Sequence, residues 1–271
     1  MPTTVREFRA GTGAETPLTM LTAYDAPTAA ACEAAGVDAI LVGDSMGNAA
    51  LGYDSTLPVT VEEVASRTGA VARATDEPLV IADMPFLSFG VDETESLHNA
   101  GRMLKEEGAH AVKIESGAHT IELTERLAAV GIPVMAHLGL TPQKVNQLGY
   151  SRQGTSQEAA NEIARLAREH EDAGAFALVL EHVPANLAVG ITDDLSIPTI
   201  GIGAGPDCDG QVLVANDVLG LGDRQPPFAE AFGDVRSEME TAVSGYVDAV
   251  ENGEFPAEEH SHVESELDDL Y

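Results

Sequence analysis

Short apolar runs recur along the chain, each followed by a polar or glycine-bearing turn and then a stretch of helical periodicity. The runs at 18–22 (LTMLT), 39–43 (AILVG), 79–82 (LVIA), 111–114 (AVKI), 133–136 (PVMA), 176–180 (FALVL), 198–202 (PTIGI) and 212–215 (VLVA) predict eight strands. Most are continuous rather than alternating, as expected for strands covered on both faces.

The intervening segments carry helix start signals. Thr60 with Glu63, Asp92 with Glu95 and Thr155 with Glu158 have capping-box spacing, Asp92 as a looser variant. Gly36, Gly108, Gly131 and Gly174 each fall shortly before the next strand, where helices end on glycine. Over 156–173, Ile163, Leu166, Ala167 and His170 share one face, and Glu162, Arg165 and Glu169 lie opposite. Eight strand-then-helix units predict an α/β fold, a (β/α)8 TIM barrel. The alternative is a doubly wound open sheet, but no GxGxxG follows the first strand. We expect one barrel domain over 1–260 and a flexible acidic tail over 261–271.

In this architecture the chemistry sits at the strand C-termini. Those ends offer Tyr24 and Asp25, Asp44 and Ser45, Asp83, Lys113 and Glu115, His137, Glu181 and His182, Gly203 and Gly205, and Asn216 and Asp217. Asp44, Asp83 and Glu115 come from consecutive strands. Three neighbouring carboxylates repel unless a cation sits among them. Oxygen ligands select a hard ion, with Mg²⁺ the first expectation. Two other readings stay open at this point: the carboxylates cap the following helices, or His137 joins as a ligand and shifts the preference towards Zn or Co. Glu181 stands apart and suits a general base. Lys113 suits an anionic substrate group or a developing enolate oxygen. A Schiff base at Lys113 is the competing role, which nearby carboxylates disfavour by keeping the amine protonated. The GIGAG run (201–205) either offers N–H groups to an anion or relieves crowding at the barrel rim.

Charge narrows the partners. The 271 residues hold 45 Asp+Glu against 14 Lys+Arg, a net charge of −31. The carboxylates are spread along the chain and not confined to a tail, 15 in the first hundred residues, 13 in the second and 17 in the remaining 71. Nucleic acid and anionic lipid surfaces are therefore excluded as partners, since both need a basic patch. Uniform acidity with only three lysines fits a salt-rich cytoplasm and a halophilic source, because molar salt screens self-repulsion. Cys32 and Cys208 make no disulfide framework, and neither a signal core nor a membrane span is visible, so the expected location is the cytoplasm.

The segments LTAYDA (21–26), LVGDSMG (41–47), GYDSTLPVT (52–60), ADMPF (82–86), VKIE (112–115), HLGLTPQ (137–143), LVLEHVP (178–184) and GIGAG (201–205) resemble the ketopantoate hydroxymethyltransferase family, in the right order. The resemblance covers about residues 5–260. It implies a phosphoenolpyruvate/pyruvate-type barrel, a homodecamer, and a Mg²⁺-dependent aldol-type reaction. The substrates implied are 3-methyl-2-oxobutanoate and 5,10-methylenetetrahydrofolate, and the product is ketopantoate for pantothenate and coenzyme A. By position it implies Asp44 and Asp83 as direct metal ligands and Glu115 as a ligand through water. It implies Asp44, Ser45, Asp83 and Lys113 as substrate contacts, His137 as the active-site histidine and Glu181 as the proton acceptor. NQLGYSRQG (146–154) departs from the family's NxxGGYKVQG by one glycine and by Arg152 for lysine. The alternative activity is that of a metal-dependent barrel lyase or aldolase of the phosphoenolpyruvate mutase and isocitrate lyase group, cleaving a C–C bond without a pterin. A barrel that only binds or assembles is the non-catalytic reading.

Overall fold

A computed structural model describes residues 3–222 and 225–264. Eight parallel strands close into a barrel in sequential order, β1 (Leu18–Thr22), β2 (Ala39–Val42), β3 (Leu79–Asp83), β4 (Ala111–Glu115), β5 (Val134–Gly139), β6 (Ala177–Glu181), β7 (Thr199–Ile202) and β8 (Gly210–Leu213), with β8 pairing back to β1. The expected (β/α)8 barrel is therefore present. By its contacts the chain divides into two units. One runs through Ala215 and takes in Pro226–Ala229; the other comprises Asn216–Gln225 and the residues from Glu230 on. Of the tail expected over 261–271, residues 265–271 lie outside the described residues.

Strand parity sorts the side chains. Successive residues of a strand point to opposite faces, so positions two apart share a face. Leu79 and Ile81, Ala111, Met135, and Ala177 and Val179 pack with Met20, Ile200 and Val212 in one buried cluster. Phe8, from the N-terminal helix Val5–Arg9, joins that cluster and meets Phe176 edge-on at 6.1 Å. The opposite parity, including Ile40, Val42, Val80, Val112 and Ile114, packs with residues of the surrounding helices such as Val64 and Met103.

Helix starts follow local chemistry. Thr60 and Glu63 form the expected reciprocal box, with Thr60 N–H donating to Glu63 at 2.8 Å and Glu63 N–H to Thr60 Oγ1 at 3.2 Å. Asp92 caps one-sidedly, accepting from Glu95 N–H at 2.8 Å. The third start is one residue later than expected: Ser156, not Thr155, is the extended cap of Gln157–Asp172 and accepts from Ala159 N–H at 3.2 Å. Ile163, Leu166, Ala167 and His170 are the buried residues of that helix, and Arg165 pairs with Glu162 and Glu169 opposite. Gly36, Gly108, Gly131 and Gly174 all have positive φ, the left-handed ending a side chain resists. The eighth strand also differs. It begins at Gly210 and stops at Leu213, and Ala215 already opens the short helix Ala215–Val218.

Candidate active site

Following inward parity to the strand C-termini turns the barrel interior from apolar to polar. On β3 the sequence Leu79, Ile81, Asp83 runs up the inner face. Asp83 pairs in register with Lys113, Glu115 with His137, and Gly139 with Glu181. Each of these partners lies two residues from the next, so all six share the inner face at one end. Period-two alternation thus gathers residues separated by almost a hundred positions.

The charged groups are deeply buried. Asp44, Asp83, Lys113, Glu115 and His137 are all 5% exposed or less. Lys113 Nζ lies 2.9 Å from Asp83 Oδ1 and 3.4 Å from His137 Nδ1. His137 Nε2 lies 3.2 Å from Glu181 Oε2, although its N–H is not aimed at that oxygen. A row therefore runs Asp83, Lys113, His137, Glu181. Glu181 is the least enclosed member, with 16% of its side chain exposed, as suits a group that must meet an incoming molecule.

The carboxylates are tied together. Asp44 N–H donates to Asp83 Oδ2 at 3.1 Å. Gln143 N–H donates to both Glu115 oxygens, and Gln143 Nε2 to Asp44 Oδ2 at 2.8 Å. Ser45 leads into the short helix Met46–Ala49 but makes no side-chain cap; its Oγ is 2.8 Å from the Tyr24 hydroxyl. Asp25, by contrast, caps Ala26–Ala34 through Thr28 N–H, a structural role. Asn216 and Asp217, expected at the end of β8, belong to the second unit. Gln143 was missed in the sequence because it is uncharged and lies in the turn after β5.

Burial and the Asp83 charge push Asp44 up to about 8, against the opposing pull of Lys113. Burial and Asp44 also raise Glu115 well above the usual carboxylate range. Burial alone would lower the Lys113 ammonium, but Asp83, Asp44 and Glu115 outweigh it and hold it above its ordinary value. Burial and the Lys113 charge lower His137. Three carboxylates thus face one ammonium, and two of the three hold their protons too tightly.

This donor set fits a hydrated hard cation. Asp83 Oδ1 is buried and accepts no aligned hydrogen bond. Asp44, Asp83 and Glu115 do not cap the helices that follow them, whose caps are Ser45, Asp92 and Gly117. Among the described residues no three His, Cys, Asp or Glu side chains converge tightly enough to cage an ion unaided. Mg²⁺ does not need such a cage, since it keeps several waters and takes one or two carboxylates. His137 as a ligand fits poorly: an ammonium stands at Nδ1 and Nε2 faces Glu181.

The glycines at the rim relieve crowding. A Cβ on Gly203 would come within 2.9 Å of the Phe228 ring, and one on Gly205 within 2.5 Å of Ala185 Cβ. His182, directly after Glu181, holds φ at 49° and packs against Phe228 at 5.4 Å. A left-handed conformation at a non-glycine residue costs about 1 kcal/mol or more and commonly marks a constrained site.

The chain matches the family model described as ketopantoate hydroxymethyltransferase over residues 2–258. It is 69% identical to the 3-methyl-2-oxobutanoate hydroxymethyltransferase of Haloarcula marismortui, covering 100% of both chains. It is 51% identical to the protein of the same name from Carboxydothermus hydrogenoformans over 90% of this chain and 89% of that one. Among solved structures it is similar to a phosphoenolpyruvate phosphomutase from Streptomyces platensis subsp. rosaceus, with TM-score 0.63, 17% identity, and coverage of 98% and 94%. That last likeness speaks to the fold alone.

Proposed function

The chain belongs to the ketopantoate hydroxymethyltransferase family, and from that premise we propose the following reaction and residue roles. The enzyme transfers a hydroxymethyl group to 3-methyl-2-oxobutanoate and so forms ketopantoate for pantothenate synthesis. The one-carbon donor is 5,10-methylenetetrahydrofolate. The observation that carries the site assignment is the buried row Asp83, Lys113, His137, Glu181 beside Asp44 and Glu115.

Asp44 and Asp83, with Glu115 through water, would hold one Mg²⁺ per subunit. The bound ion supplies Lewis-acid polarisation of the 2-oxo carbonyl, which acidifies C3–H. Asp44, Ser45, Asp83 and Lys113 bind and orient the 2-oxo acid. Glu181 takes the C3 proton, and its position away from the carboxylate cluster leaves it available as a base. Lys113 faces the charge that grows on oxygen as the proton leaves. His137, between Lys113 and Glu181, orients both. The enolate carbon then forms its new C–C bond to the one-carbon unit; both C–N bonds of the methylene bridge break, one water supplies the hydroxyl oxygen, and tetrahydrofolate leaves carrying the proton from C3 and one from that water.

Self-association is part of this reading. In the helix Val235–Glu251 no residue is buried, and Met239, Val243, Tyr246, Val247 and Val250 are exposed. Five exposed apolar residues on one helix support a partner surface, and the resemblance to the family supports reading that assembly as a homodecamer. Among the described residues no helix is long and apolar enough to cross a membrane. With the −31 charge and the Haloarcula relative, this supports a salt-rich cytoplasm as the setting.

One assay tests the reaction. Mg²⁺, 3-methyl-2-oxobutanoate and 5,10-methylenetetrahydrofolate in molar KCl should give ketopantoate. C–C cleavage of a 2-oxo acid without any pterin, and no ketopantoate, would replace this reading by the lyase one.

A further inference from the structure

Gln143 reaches three neighbouring strand ends from the turn that follows β5. It occupies Pro142–Lys144, a single 3₁₀ turn whose first residue is proline and offers no N–H. The first free N–H of that turn is therefore Gln143's own, and it donates to Glu115 Oε1 and Oε2, both at 3.1 Å. The side-chain amide carries two hydrogens and both are used. One goes to Asp44 Oδ2 at 2.8 Å and the other to the Met84 carbonyl at 2.9 Å. One residue thereby joins the ends of β2, β3 and β4, and it is itself buried, 7% exposed.

The chemistry of these contacts is selective. An amide donates to a carboxylate without neutralising it. Lysine or arginine in this place would supply its own positive charge and compete with a bound cation. A fourth carboxylate would repel Asp44. Glutamine holds both carboxylates, fixes which Asp44 oxygen is occupied, and leaves the negative charge for the ion. Its amide nitrogen only donates, so it enters no coordination sphere through that atom.

We propose that Gln143 is a positioning residue for the cation site, setting the separation and orientation of Asp44 and Glu115. The inference rests on the reading of Asp44, Asp83 and Glu115 as that site. The plainer role, a buried tie between loops, predicts lost stability with unchanged metal affinity. Groups that orient metal ligands are commonly worth about 10–100-fold in affinity.

Mn²⁺ is the probe, titrated at constant KCl into the full-length protein and followed by the electron paramagnetic resonance signal of the free ion. Gln143→Met keeps volume and the main-chain bond to Glu115 but removes both side-chain donors. Gln143→Asn is equally polar and one methylene too short to span Asp44 and Met84. Both should weaken Mn²⁺ binding about 10-fold or more. The metal concentration for half-maximal turnover should rise further than kcat at saturating metal falls. Thr124→Val, which removes a buried contact to His170, should lower the melting temperature without moving Mn²⁺ affinity. Wild-type Mn²⁺ affinity in a folded Gln143 variant overturns the proposal; if Gln143→Met does not fold, Gln143→Asn carries the comparison. Asp83→Ala separates the two levels. If it binds Mn²⁺ as wild type does, the cation site itself is wrong; if it does not bind while the Gln143 variants bind normally, only the role of Gln143 falls.

Discussion

His137 Nδ1 sits 3.4 Å from Nζ of Lys113, and an ammonium can only donate. Nδ1 is therefore the bare nitrogen and Nε2 carries the proton, on the side facing Glu181. Burial and the Lys113 charge favour this neutral ring. The imidazole thus turns its protonated nitrogen to the Glu181 side, 3.2 Å from Oε2 though without an aligned hydrogen bond. His137→Ala should lower kcat by about 10²-fold with little change in KM for the 2-oxo acid. Glu181→Gln should retain 2-oxo acid binding and lose C3–H exchange into deuterated water. Proton NMR of the exchange reads both variants, and near-normal exchange in Glu181→Gln would remove Glu181 from the role of base.

Lys113 provides a sharper chemical test. Asp83, Asp44 and Glu115 hold its amine charged, and a charged amine does not attack a carbonyl. Borohydride added with 3-methyl-2-oxobutanoate should leave no mass adduct on Lys113. A trapped adduct there would restore the Schiff-base mechanism.

Gly139 has a strict backbone requirement. It holds φ at 99°, and a Cβ there would lie 2.2 Å from the Glu181 carbonyl oxygen. No backbone atom can be displaced cheaply, and Glu181 would move with it. Gly139→Ala should cost about 1–3 kcal/mol from the left-handed backbone alone, with more from the clash. Activity should fall further than the folded fraction does. Thermal melts beside kcat measured on the folded protein separate the two effects.

Much of this architecture was legible because parallel barrel strands are buried on both faces and read as unbroken apolar runs. The run at 133–136 marked β5 but ended too early. His137 and Gly139 are inside that strand, where polar and glycine residues line the barrel end. The run VLVA misplaced β8 because its last residue packs as the start of a helix, while exposed Gln211 disguised the true strand. Thr155 and Ser156 are equivalent capping chemistry one position apart, and only the backbone chose between them. The ionisable site residues stood out against apolar neighbours, and register explains why they converge. Gln143 had no such contrast: its importance lies in contacts to residues 28 and 99 positions away.

His170 sets a pH dependence remote from the carboxylates. It is fully buried, with Nε2 3.3 Å from the Gly117 carbonyl and Nδ1 3.0 Å from Thr124 Oγ1. Burial lowers its pKa, so the folded state keeps the ring neutral where the unfolded chain takes a proton. The unfolded state then binds more protons below about pH 6.5, and stability falls as pH drops through that value. The loss is at most about 1.4 kcal/mol per pH unit and ends at the folded pKa. His170→Gln lacks this dependence, whereas His110, His119 and His137 remain in both proteins. The stability gap between wild type and His170→Gln should therefore narrow from pH 8 to pH 5 in denaturant titrations. A constant gap would mean that the ring takes up its proton at the same pH folded and unfolded, and a widening gap that the fold favours the protonated ring.

Salt should act through charges that have too few partners. Arg102 alone faces Glu62, Glu106 and Glu107, at 3.4, 3.8 and 3.7 Å, and Arg165 sits between Glu162 and Glu169. With 45 carboxylates to 14 Lys+Arg, the remaining acidic groups repel across the surface. The Debye length shortens from about 10 Å at 0.1 M to about 3 Å at 1 M, so that repulsion is largely removed over this range. Melting temperature should rise steeply to about 1 M KCl and then more slowly. Each kcal/mol gained moves the melting temperature of a chain this size by about 2–4 °C. Exposed ion pairs such as Arg165–Glu169 are screened too, but each is worth only about 0.2–1 kcal/mol, so their loss does not reverse the sign. A melting temperature that stays level or falls between 0.1 and 1 M KCl would show that the acidic surface is no adaptation to salt, and would leave the site chemistry untouched.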